Sequence, residues 1–211
     1  MAIVTGAARG IGRAIALTLA AEGAALALCD VNHSGLLQTL AAIPATSAPH
    51  QAYEVDVAYS DQVRQFVQAV VDHVGHIDIL VNNAGIVERE SWLSIGEEQW
   101  DRIHAVNVKG PFLLTQAVAR HLIDSTSGGA IVNTSSISGR MPQAGKMHYF
   151  SSKAALIHLT RRSAMELGTH GIRVNAICPG VTDTQLVPHP ITNEYIRAHR
   201  IVMGRAADPQ E

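Results

Sequence analysis

The 211-residue chain contains two cysteines, and aromatic residues make up only 4% of it. Cys29 and Cys178 each lie in an apolar, strand-like run, without the paired spacing of a disulfide or metal framework. We therefore expect both thiols to be buried hydrophobic groups. Of the eleven histidines, His73 and His76 lie three apart, but without a nearby acidic or thiol partner they indicate a solvated helix end. No metal site is predicted.

The sequence also lacks long apolar runs and an excess of one charge. Residues 14–28 form one of the longest apolar-looking stretches, and Thr18, Glu22 and Gly23 interrupt it, so it is too short to span a bilayer. The 16 basic and 18 acidic residues form no long runs, which argues against a nucleic-acid partner. No signal-peptide pattern precedes the first glycine-rich segment. These absences favour a cytoplasmic protein with no membrane partner.

Apolar runs typical of strands alternate with amphipathic segments of helical length. The predicted strands are residues 2–4, 25–29, 52–57, 77–81, 130–133 and 173–178. The predicted helices are residues 12–22, 60–74, 97–124 and 148–168, with a weaker one at 32–42. Gly168 is a plausible helix C-cap, and residues 44–49 are expected to form a surface loop. This alternation predicts one α/β domain over residues 1–211, a doubly wound parallel sheet of the Rossmann type covered on both faces.

A glycine-rich segment, Thr5-Gly6-Ala7-Ala8-Arg9-Gly10-Ile11-Gly12, follows the first strand and opens the first helix. Glycines at positions 6, 10 and 12 permit the close backbone approach that a pyrophosphate needs at a helix N-terminus. The spacing is not the common G-x-G-x-x-G, and the segment lacks the Gly-Lys-Ser/Thr of a Walker motif. A glycine-rich turn without a ligand remains the alternative.

Asp30 ends the second apolar run, roughly where an acidic residue meets the adenosine ribose in a dinucleotide-binding fold. A carboxylate there accepts hydrogen bonds from both ribose hydroxyls and repels a 2′-phosphate, which favours NAD over NADP. Arg9 has the opposite tendency, because its guanidinium could meet that phosphate. A plain turn or N-cap role for Asp30 is the alternative.

Tyr149 and Lys153 lie four residues apart at the start of a predicted helix, and therefore on one helical face. An ammonium beside a phenol favours the phenolate, which should lower the pKa of Tyr149 from about 10 toward neutrality. Tyr149 then becomes a workable general acid and base. An exposed helical pair is the alternative. His148 fits a place in a substrate pocket and a place at the surface equally well.

Together these motifs resemble the short-chain dehydrogenase/reductase family, in particular its 3-oxoacyl-acyl-carrier-protein reductases, over essentially the whole chain. The family form of the glycine loop, Thr-Gly-x-x-x-Gly-x-Gly, matches residues 5–12 and explains the unusual spacing. Ser136 lies thirteen residues before Tyr149, the spacing of the family's catalytic serine. Further matching segments are Asp56-Val57, Asn82-Asn83-Ala84-Gly85, Asn107-Val108-Lys109-Gly110 and Pro179-Gly180 followed by Thr184. Thr182 departs from the Ile or Val common in the family.

The resemblance implies a catalytic set of Ser136, Tyr149, Lys153 and Asn107. Ser136 would hold the substrate oxygen, Tyr149 would exchange its proton, and Lys153 would lower the pKa of Tyr149 and bind the nicotinamide ribose. Asn107 would hold a water that links Lys153 to solvent. The implied cofactor-binding residues are Gly6, Arg9, Gly10, Ile11, Gly12, Asp30, Asp56, Val57, Asn83, Ala84, Gly85, Tyr149, Lys153, Pro179, Gly180, Thr182 and Thr184.

The sequence thus predicts an NAD(H)-dependent oxidoreductase that interconverts a secondary alcohol and a ketone, with residues 185–203 as a substrate lid. Sugars, hydroxy acids, 3-oxoacyl thioesters and steroid-like alcohols remain open as substrates. A non-catalytic dinucleotide-binding protein is the main alternative, which the intact catalytic set disfavours. A phosphoryl-transfer protein is disfavoured by the absence of the Walker lysine. The resemblance also implies dimers or tetramers that pair through helices 97–124 and 148–168.

The chain ends on Asp208-Pro209-Gln210-Glu211, which has the form of a helix start with a capping box. In the family a further helix and a last strand normally begin here. We therefore expect residues 208–211 to form no ordered helix, and the strand at 173–178 to lie at an open sheet edge. We hypothesise that the chain is incomplete at its C-terminus, and that it aggregates or has low activity by itself. An inactive fragment of such an enzyme is the alternative.

Overall fold

A computed structural model describes residues 1–45, 48–141, 145–187, 190–198 and 201–211. Six strands form one sheet. They are β1 (Ala2–Thr5), β2 (Leu26–Asp30), β3 (His50–Glu54), β4 (Ile79–Asn82), β5 (Gly129–Thr134) and β6 (Ile172–Ile177). The helices are α1 (Gly10–Ala21), α2 (His33–Ala42), α3 (Ser60–Val74), α4 (Glu97–His104), α5 (Gly110–Asp124), α6 (Met147–Leu167) and α7 (Asn193–Ala198).

The strand order is β3-β2-β1-β4-β5-β6, and every ladder is parallel. Ala2 at the start of β1 is in register with Leu26 of β2 on one side and with Ile79 of β4 on the other. The order therefore reverses beside β1, which produces a crevice at the carboxyl ends of β1 and β4. The predicted doubly wound parallel sheet is confirmed.

Apolar side chains alternate between the two faces of the sheet and form two cores. On one face, strand residues such as Ile3 and Leu80 pack with Phe66 of α3 and Leu122 of α5. On the other face, alanines of α1 and Leu36 of α2 cover residues such as Val4 and Leu28. Burial on both faces explains why these strands are nearly continuous apolar runs in the sequence.

Several predicted boundaries need correction. The third strand ends at Glu54, before the predicted end at residue 57, because the chain leaves the sheet after Val55 donates its N–H to the Asp30 carbonyl at 3.0 Å. Gly168 is not the left-handed cap of α6. It has φ −59° and continues into a 3-10 turn over Gly168–His170, after which Gly171 takes the left-handed conformation with φ 71°. The predicted loop at 44–49 includes residues 46–47, which lie outside the described residues.

The predicted helix over residues 97–124 is interrupted. A π turn at Ala105–Lys109 separates α4 from α5 without breaking the helical path. A π turn holds one residue more than an α turn, so it shifts the phase of the apolar pattern without adding a helix-breaking residue or a cap that would mark a boundary. The expectation of one uninterrupted α-helix was therefore wrong.

The two cysteines differ. Cys29 is fully buried in β2, as expected, and burial together with nearby Asp30 and Asp56 raises the pKa of its thiol. Cys178 follows the last residue of β6 and is only partly buried. The expectation of a buried strand thiol is thus confirmed for Cys29 and wrong for Cys178.

Among the described residues β6 pairs with β5 alone, so it lies at an edge of the sheet, as expected. Its outward side chains, which include Arg173 and Ile177, are exposed. Residues 208–211 form no helix, also as expected, and only half of the predicted capping box is present, because the N–H of Glu211 is donated to the backbone carbonyl of Asp208 and not to its side chain. Gln210 donates its N–H to the Asp208 carboxylate at 2.8 Å, and Asp208 donates its N–H to Glu211 at 2.8 Å.

Gly12 packs too tightly for any other side chain. A Cβ at this position would lie 2.0 Å from the Gly6 carbonyl oxygen, a backbone atom that cannot rotate away. A Cβ at Gly168 would meet nothing within 4 Å. The two glycines therefore form a matched pair for testing the packing of the glycine loop.

We predict that Gly12→Ala lowers the free energy of unfolding by more than about 2 kcal/mol, because the added methyl forces the loop apart. Gly168→Ala should change it by less than about 1 kcal/mol, in the stabilising direction, since alanine favours helical backbone. Urea denaturation followed by circular dichroism measures both. Equal, small effects for the two variants would contradict the packing argument.

Candidate active site

A cavity of about 600 Å³ opens at the carboxyl ends of the parallel strands. Its wall contains the catalytic candidates Ser136, Tyr149 and Lys153. Every predicted cofactor-binding residue also lines it. These are Gly6, Arg9, Gly10, Ile11, Gly12, Asp30, Asp56, Val57, Asn83, Ala84, Gly85, Tyr149, Lys153, Pro179, Gly180, Thr182 and Thr184. Sequence positions up to 178 residues apart therefore meet around one cavity.

The glycine loop is fastened to the segment after β4 by hydrogen bonds. The Thr5 hydroxyl accepts the N–H groups of Asn83 and Ala84, both at 3.0 Å, and donates to the Val81 carbonyl at 3.3 Å. The Asn83 amide donates back to the carbonyls of Thr5 and Gly6. These hydrogen bonds fix the loop beside the N-terminus of α1, whose first N–H groups have no partner within the helix.

Asp30 ends β2, and its carboxylate stands in the cavity wall beside the glycine loop. One oxygen accepts the N–H of Ala8 at 3.1 Å, and the other accepts the N–H of Asn32 at 2.9 Å. The N-cap of α2 is Asn32, which accepts from Gly35, so Asp30 is not that cap. Asp30 therefore does stabilise the turn after β2, but each of its carboxylate oxygens keeps a lone pair that a ligand can use.

Arg9 is hydrogen-bonded to the segment predicted to form a lid. Its guanidinium donates a short hydrogen bond to the Gln185 side chain at the start of that segment. The glycine loop and the predicted lid are therefore in contact. Within the predicted lid, residues 188–189 and 199–200 lie outside the described residues.

The segment after β3 brings Asp56 and Val57 to the cavity. The Asp56 carboxylate accepts the N–H of Ala58 at 2.9 Å, and Asp56 donates its own N–H to Gln62 at 2.8 Å. Val57 packs against Gly110, where a Cβ would lie only 2.8 Å from the valine side chain. A small residue at the start of α5 thus lets this segment approach the cavity.

Ser136, Tyr149 and Lys153 converge in the cavity wall beyond β5. Ser136 follows β5, while Tyr149 lies in the first turn of α6 with Lys153 one turn later. Burial raises the pKa of Tyr149, and a hydrogen bond with Ser136 partly opposes this. The expected fall of the Tyr149 pKa toward neutrality is therefore not present in the chain by itself, because the desolvation of the phenolate outweighs the stabilising contacts.

Lys153 is almost completely buried, with 4% of its surface exposed. Its ammonium donates to the Thr134 carbonyl at 2.8 Å and lies 5.8 Å from the centre of the Tyr149 ring. Burial lowers the pKa of Lys153 to about 8. The fall from 10.5 corresponds to roughly 3 kcal/mol against the charged form. The lysine can therefore release and regain a proton close to neutral pH.

Asn107 lies in the π turn and is fully buried, behind the cavity wall. Its amide accepts the N–H of Ile86 at 2.9 Å and donates to the Ile86 carbonyl at 2.9 Å and the Ser152 hydroxyl at 3.0 Å. A Cβ on Gly85 would touch both Lys153 Nζ at 3.3 Å and Asn107 Oδ1 at 3.4 Å. The ammonium and the amide thus converge over a glycine. Both amide hydrogens of Asn107 and one lone pair of its Oδ1 are already used in the hydrogen bonds above.

Three functional candidates in this region escaped the sequence analysis or were placed wrongly. Thr134 lines the cavity, and its buried hydroxyl has no hydrogen-bond partner in the described structure. Lys146, which also lines the cavity, has a left-handed backbone with φ 54° that non-glycine residues rarely adopt. His148 is fully buried outside the cavity wall, so neither the pocket nor the surface position is right. Neither of its ring nitrogens has a partner, and burial lowers its pKa.

The cavity suits a nicotinamide dinucleotide. The glycine loop brings bare backbone and the N-terminus of α1 to its wall, where a pyrophosphate is stabilised. Asp30 offers carboxylate oxygens for ribose hydroxyls. At the opposite side, the unpartnered Thr134 hydroxyl and the buried Lys153 ammonium offer donors to a ligand. The residues present therefore fit this cofactor.

Comparison with known proteins gives the family. A model of the family described as short chain dehydrogenase matches residues 1–194. The chain belongs to the short-chain dehydrogenase/reductase family. Its members use NAD or NADP, and the relatives of this chain are dehydrogenases and reductases, which makes it an oxidoreductase by family.

Two relatives and one solved structure illustrate the similarity. The (3R)-3-hydroxyacyl-CoA dehydrogenase of Mus musculus is 39% identical over 100% of this chain and 85% of its own. The 3-oxoacyl-[acyl-carrier-protein] reductase of Thermotoga maritima is 38% identical over 99% and 85%. A crystal structure of a short-chain type dehydrogenase/reductase from Mycobacterium marinum superposes with a TM-score of 0.92 at 38% identity, over 99% of this chain and 83% of that one.

Neither a membrane span nor a metal cluster is found among the described residues. None of the described helices is both long enough and apolar enough to cross a membrane. The described residues contain no cluster of three or more histidine, cysteine or acidic side chains that could hold a metal ion. His76, which the sequence placed at a solvated helix end, is exposed and contacts the Asp78 carboxylate at 3.4 Å.

The burial of Lys153 predicts a distinct pH dependence of stability. Its folded pKa of about 8 lies below the unfolded value of 10.5, so between these values the unfolded chain binds more protons than the folded one. The free energy of unfolding should therefore rise with pH from about 8 to about 10, by up to roughly 3 kcal/mol from this group.

Lys153→Met lacks this titration, so its stability relative to the wild type should fall steadily over the same window. Urea unfolding of both proteins between pH 7 and 10, without cofactor, measures the difference. Ionisation of other groups cancels in the comparison. A difference that is independent of pH would show that Lys153 titrates normally in the folded chain.

Proposed function

We propose that the chain is an NAD(H)-dependent oxidoreductase that interconverts a secondary alcohol and the corresponding ketone. The observation that carries this proposal is the convergence of Ser136, Tyr149 and Lys153 in the wall of the cavity that the glycine loop also lines. The bound dinucleotide supplies or accepts the hydride. The remaining chemistry is proton transfer at the substrate oxygen, which these side chains can perform.

Ser136 and Tyr149 hold the substrate oxygen between them, because both side chains line the cavity and Ser136 influences the pKa of the Tyr149 hydroxyl. Tyr149 donates its proton to the oxygen during ketone reduction and accepts it during alcohol oxidation. A hydrogen bond to the developing alkoxide is strong in this partly dry site, since little water competes for it.

Lys153 supports the proton transfer. Its ammonium lies close enough to the Tyr149 ring to stabilise a phenolate, and its lowered pKa allows it to pass a proton on. We propose that binding of cofactor and substrate brings the pKa of Tyr149 down from the raised value of the free chain. Asn107 positions the segment around Ile86 beside the lysine. Its two amide hydrogens are both donated, so its proposed role in the proton path rests on the second lone pair of its Oδ1, which can accept from a water.

NAD is the proposed cofactor, with NADP less favoured. The Asp30 carboxylate lines the cavity beside the glycine loop, and its proposed role is to accept the ribose hydroxyls and to repel a 2′-phosphate. Arg9, the residue that could favour NADP, is engaged by Gln185. The contact links the glycine loop to the proposed substrate lid, residues 185–203, of which Leu186, Val187 and Tyr195 line the cavity.

Assembly as a dimer or tetramer is also part of the proposal. The exposed large apolar side chains include Trp92 and Leu93 in the turn before α4, Trp100 in α4 and Phe112 in α5. We propose that these residues form one contiguous apolar patch, which is typical of a protein–protein contact. A non-catalytic binding protein is the second candidate, and it would need neither the buried lysine nor the Ser136–Tyr149 pair.

Tyr149→Phe should reduce turnover of an alcohol or ketone by at least about a thousandfold while NADH binding changes little. The ring still packs, but no proton can be exchanged. Absorbance of NADH across a panel of alcohols and ketones measures turnover, and fluorescence titration measures NADH binding. Phe150→Tyr, which alters a neighbouring ring, serves as a control for packing. Turnover of the Tyr149→Phe protein near the wild-type rate would refute the assignment.

Asp30→Ala should weaken NAD binding and shift the NADP-to-NAD ratio of kcat/KM upward by about tenfold or more. Removal of the carboxylate takes away both the ribose contacts and the repulsion of a 2′-phosphate. Asp61→Ala, at an exposed position on α3, is the matched charge control. An unchanged cofactor ratio in Asp30→Ala would place the ribose elsewhere.

A further inference from the structure

Charges in the described cavity wall are divided between its two sides. The carboxylates Asp30 and Asp56 follow β2 and β3, on one side of the β1–β4 crevice. Tyr149 and Ser136 lie beyond β5, on the other side. No described wall residue on that second side is a carboxylate, whereas Lys146 and Lys153 are both present there. The proposed reacting end of the cavity is therefore cationic.

Lys146 has no countercharge among the residues that the structure describes. It is partly buried, it directly precedes α6, and no hydrogen bond or ion pair joins its ammonium to those residues. Burial and the neighbouring Arg89 lower the pKa of Lys146, with no acidic group acting in the other direction. An ammonium that has lost part of its water without gaining a partner is a binding element for an anion.

The backbone at this position supports a role for the side chain itself. Lys146 has φ 54°, directly after Gly145 with φ 73°. Glycine adopts this conformation without strain, whereas a residue with a Cβ does not. Among the described residues only Thr126 shares this feature with Lys146 outside glycine. A strained non-glycine residue in a cavity wall is typical of functional positions.

We propose that Lys146 binds the carboxylate of a small hydroxy acid or oxo acid whose alcohol or ketone carbon reacts at Tyr149. The inference rests on the proposed function and narrows its substrate class. Lys146 directly precedes α6, Tyr149 lies in the first turn of that helix, and both side chains line the cavity. A short hydroxy acid carries its charged group and its reacting carbon only a few bonds apart, so one such molecule would contact both side chains. The phosphate of a large thioester carrier would lie much farther from the reacting carbon.

The first test compares acids with their neutral esters. Probes are 2-hydroxybutanoate, 3-hydroxybutanoate and 4-hydroxypentanoate, each against its methyl ester, with NAD. The wild type should favour at least one acid over its ester in kcat/KM, and Lys146→Gln should reduce that acid-to-ester ratio at least tenfold, mainly through KM. Arg140→Gln removes a positive charge from an exposed site in the same loop region and should leave the ratio within twofold.

The second test does not need turnover. Calorimetric titration of the same acids into the Tyr149→Phe protein saturated with NADH should show binding that Lys146→Gln weakens at least tenfold in the double variant.

If every probe and every neutral alcohol fails to react while this Lys146-dependent binding persists, the proposed function is wrong and the anion site stands. If neutral alcohols react but no acid binds in a Lys146-dependent way, the proposed function stands and the anion site is refuted. A kcat/KM that is higher for phosphate-bearing thioesters than for both the acids and their esters would also refute the anion site.

Discussion

The hydrogen bond from the Lys153 ammonium to the Thr134 carbonyl is the interaction on which the candidate site depends. It joins the end of β5 to the first turns of α6, where Tyr149 also lies. Ser135 strengthens the same junction by donating its hydroxyl to the Lys153 carbonyl at 2.8 Å. Because both ends of this junction are fixed, the ring of Tyr149 and the hydroxyl of Ser136 keep a constant relation to each other.

The backbone around the buried ammonium is closely packed. Gly85 makes room for the charge, and Gly139 lets the turn after Ser136 approach the Lys153 backbone, where a Cβ would lie 2.8 Å away. A second polar junction lies below it, since the Asn133 amide accepts from Asn82 at 2.8 Å and donates to Thr160 at 2.9 Å. These bonds tie β4, β5 and α6 together through polar groups in a low-dielectric interior, where Asn82 Oδ1 alone of these amide atoms has no partner among the described residues.

Much of the fold could be predicted because the relevant signals are local. Strands buried on both faces are continuous apolar runs, and the alternation with helices dictates a parallel sheet. The glycine loop and the Tyr149–Lys153 spacing likewise predicted which residues would meet, and all of them do line one cavity. Ser136 and Asn107 required the family resemblance, because a strand-end serine and a helical asparagine have no chemistry of their own in a sequence.

What escaped prediction depends on three-dimensional surroundings. Desolvation decides the pKa of Tyr149, and no spacing reports how much water a helix start will lose. The charged neighbour that affects Lys146 in the folded chain is Arg89 and not an acidic side chain, and only packing determines this. His148 could not be placed for the same reason: it neighbours Tyr149 in the sequence, yet the helix turns it into the interior.

The π turn at Ala105–Lys109 changes the phase of the helical surface that follows it. In an uninterrupted α-helix, Trp100 and Phe112 would be twelve residues apart and would point about 120° away from each other. The extra residue in the turn makes their separation equivalent to eleven α-helical steps, which leaves them about 20° apart after three full turns. Both rings are partly exposed, at 39% and 44%. The same irregularity that carries Asn107 into the interior therefore aligns two aromatic rings along one stripe on the outside of the molecule.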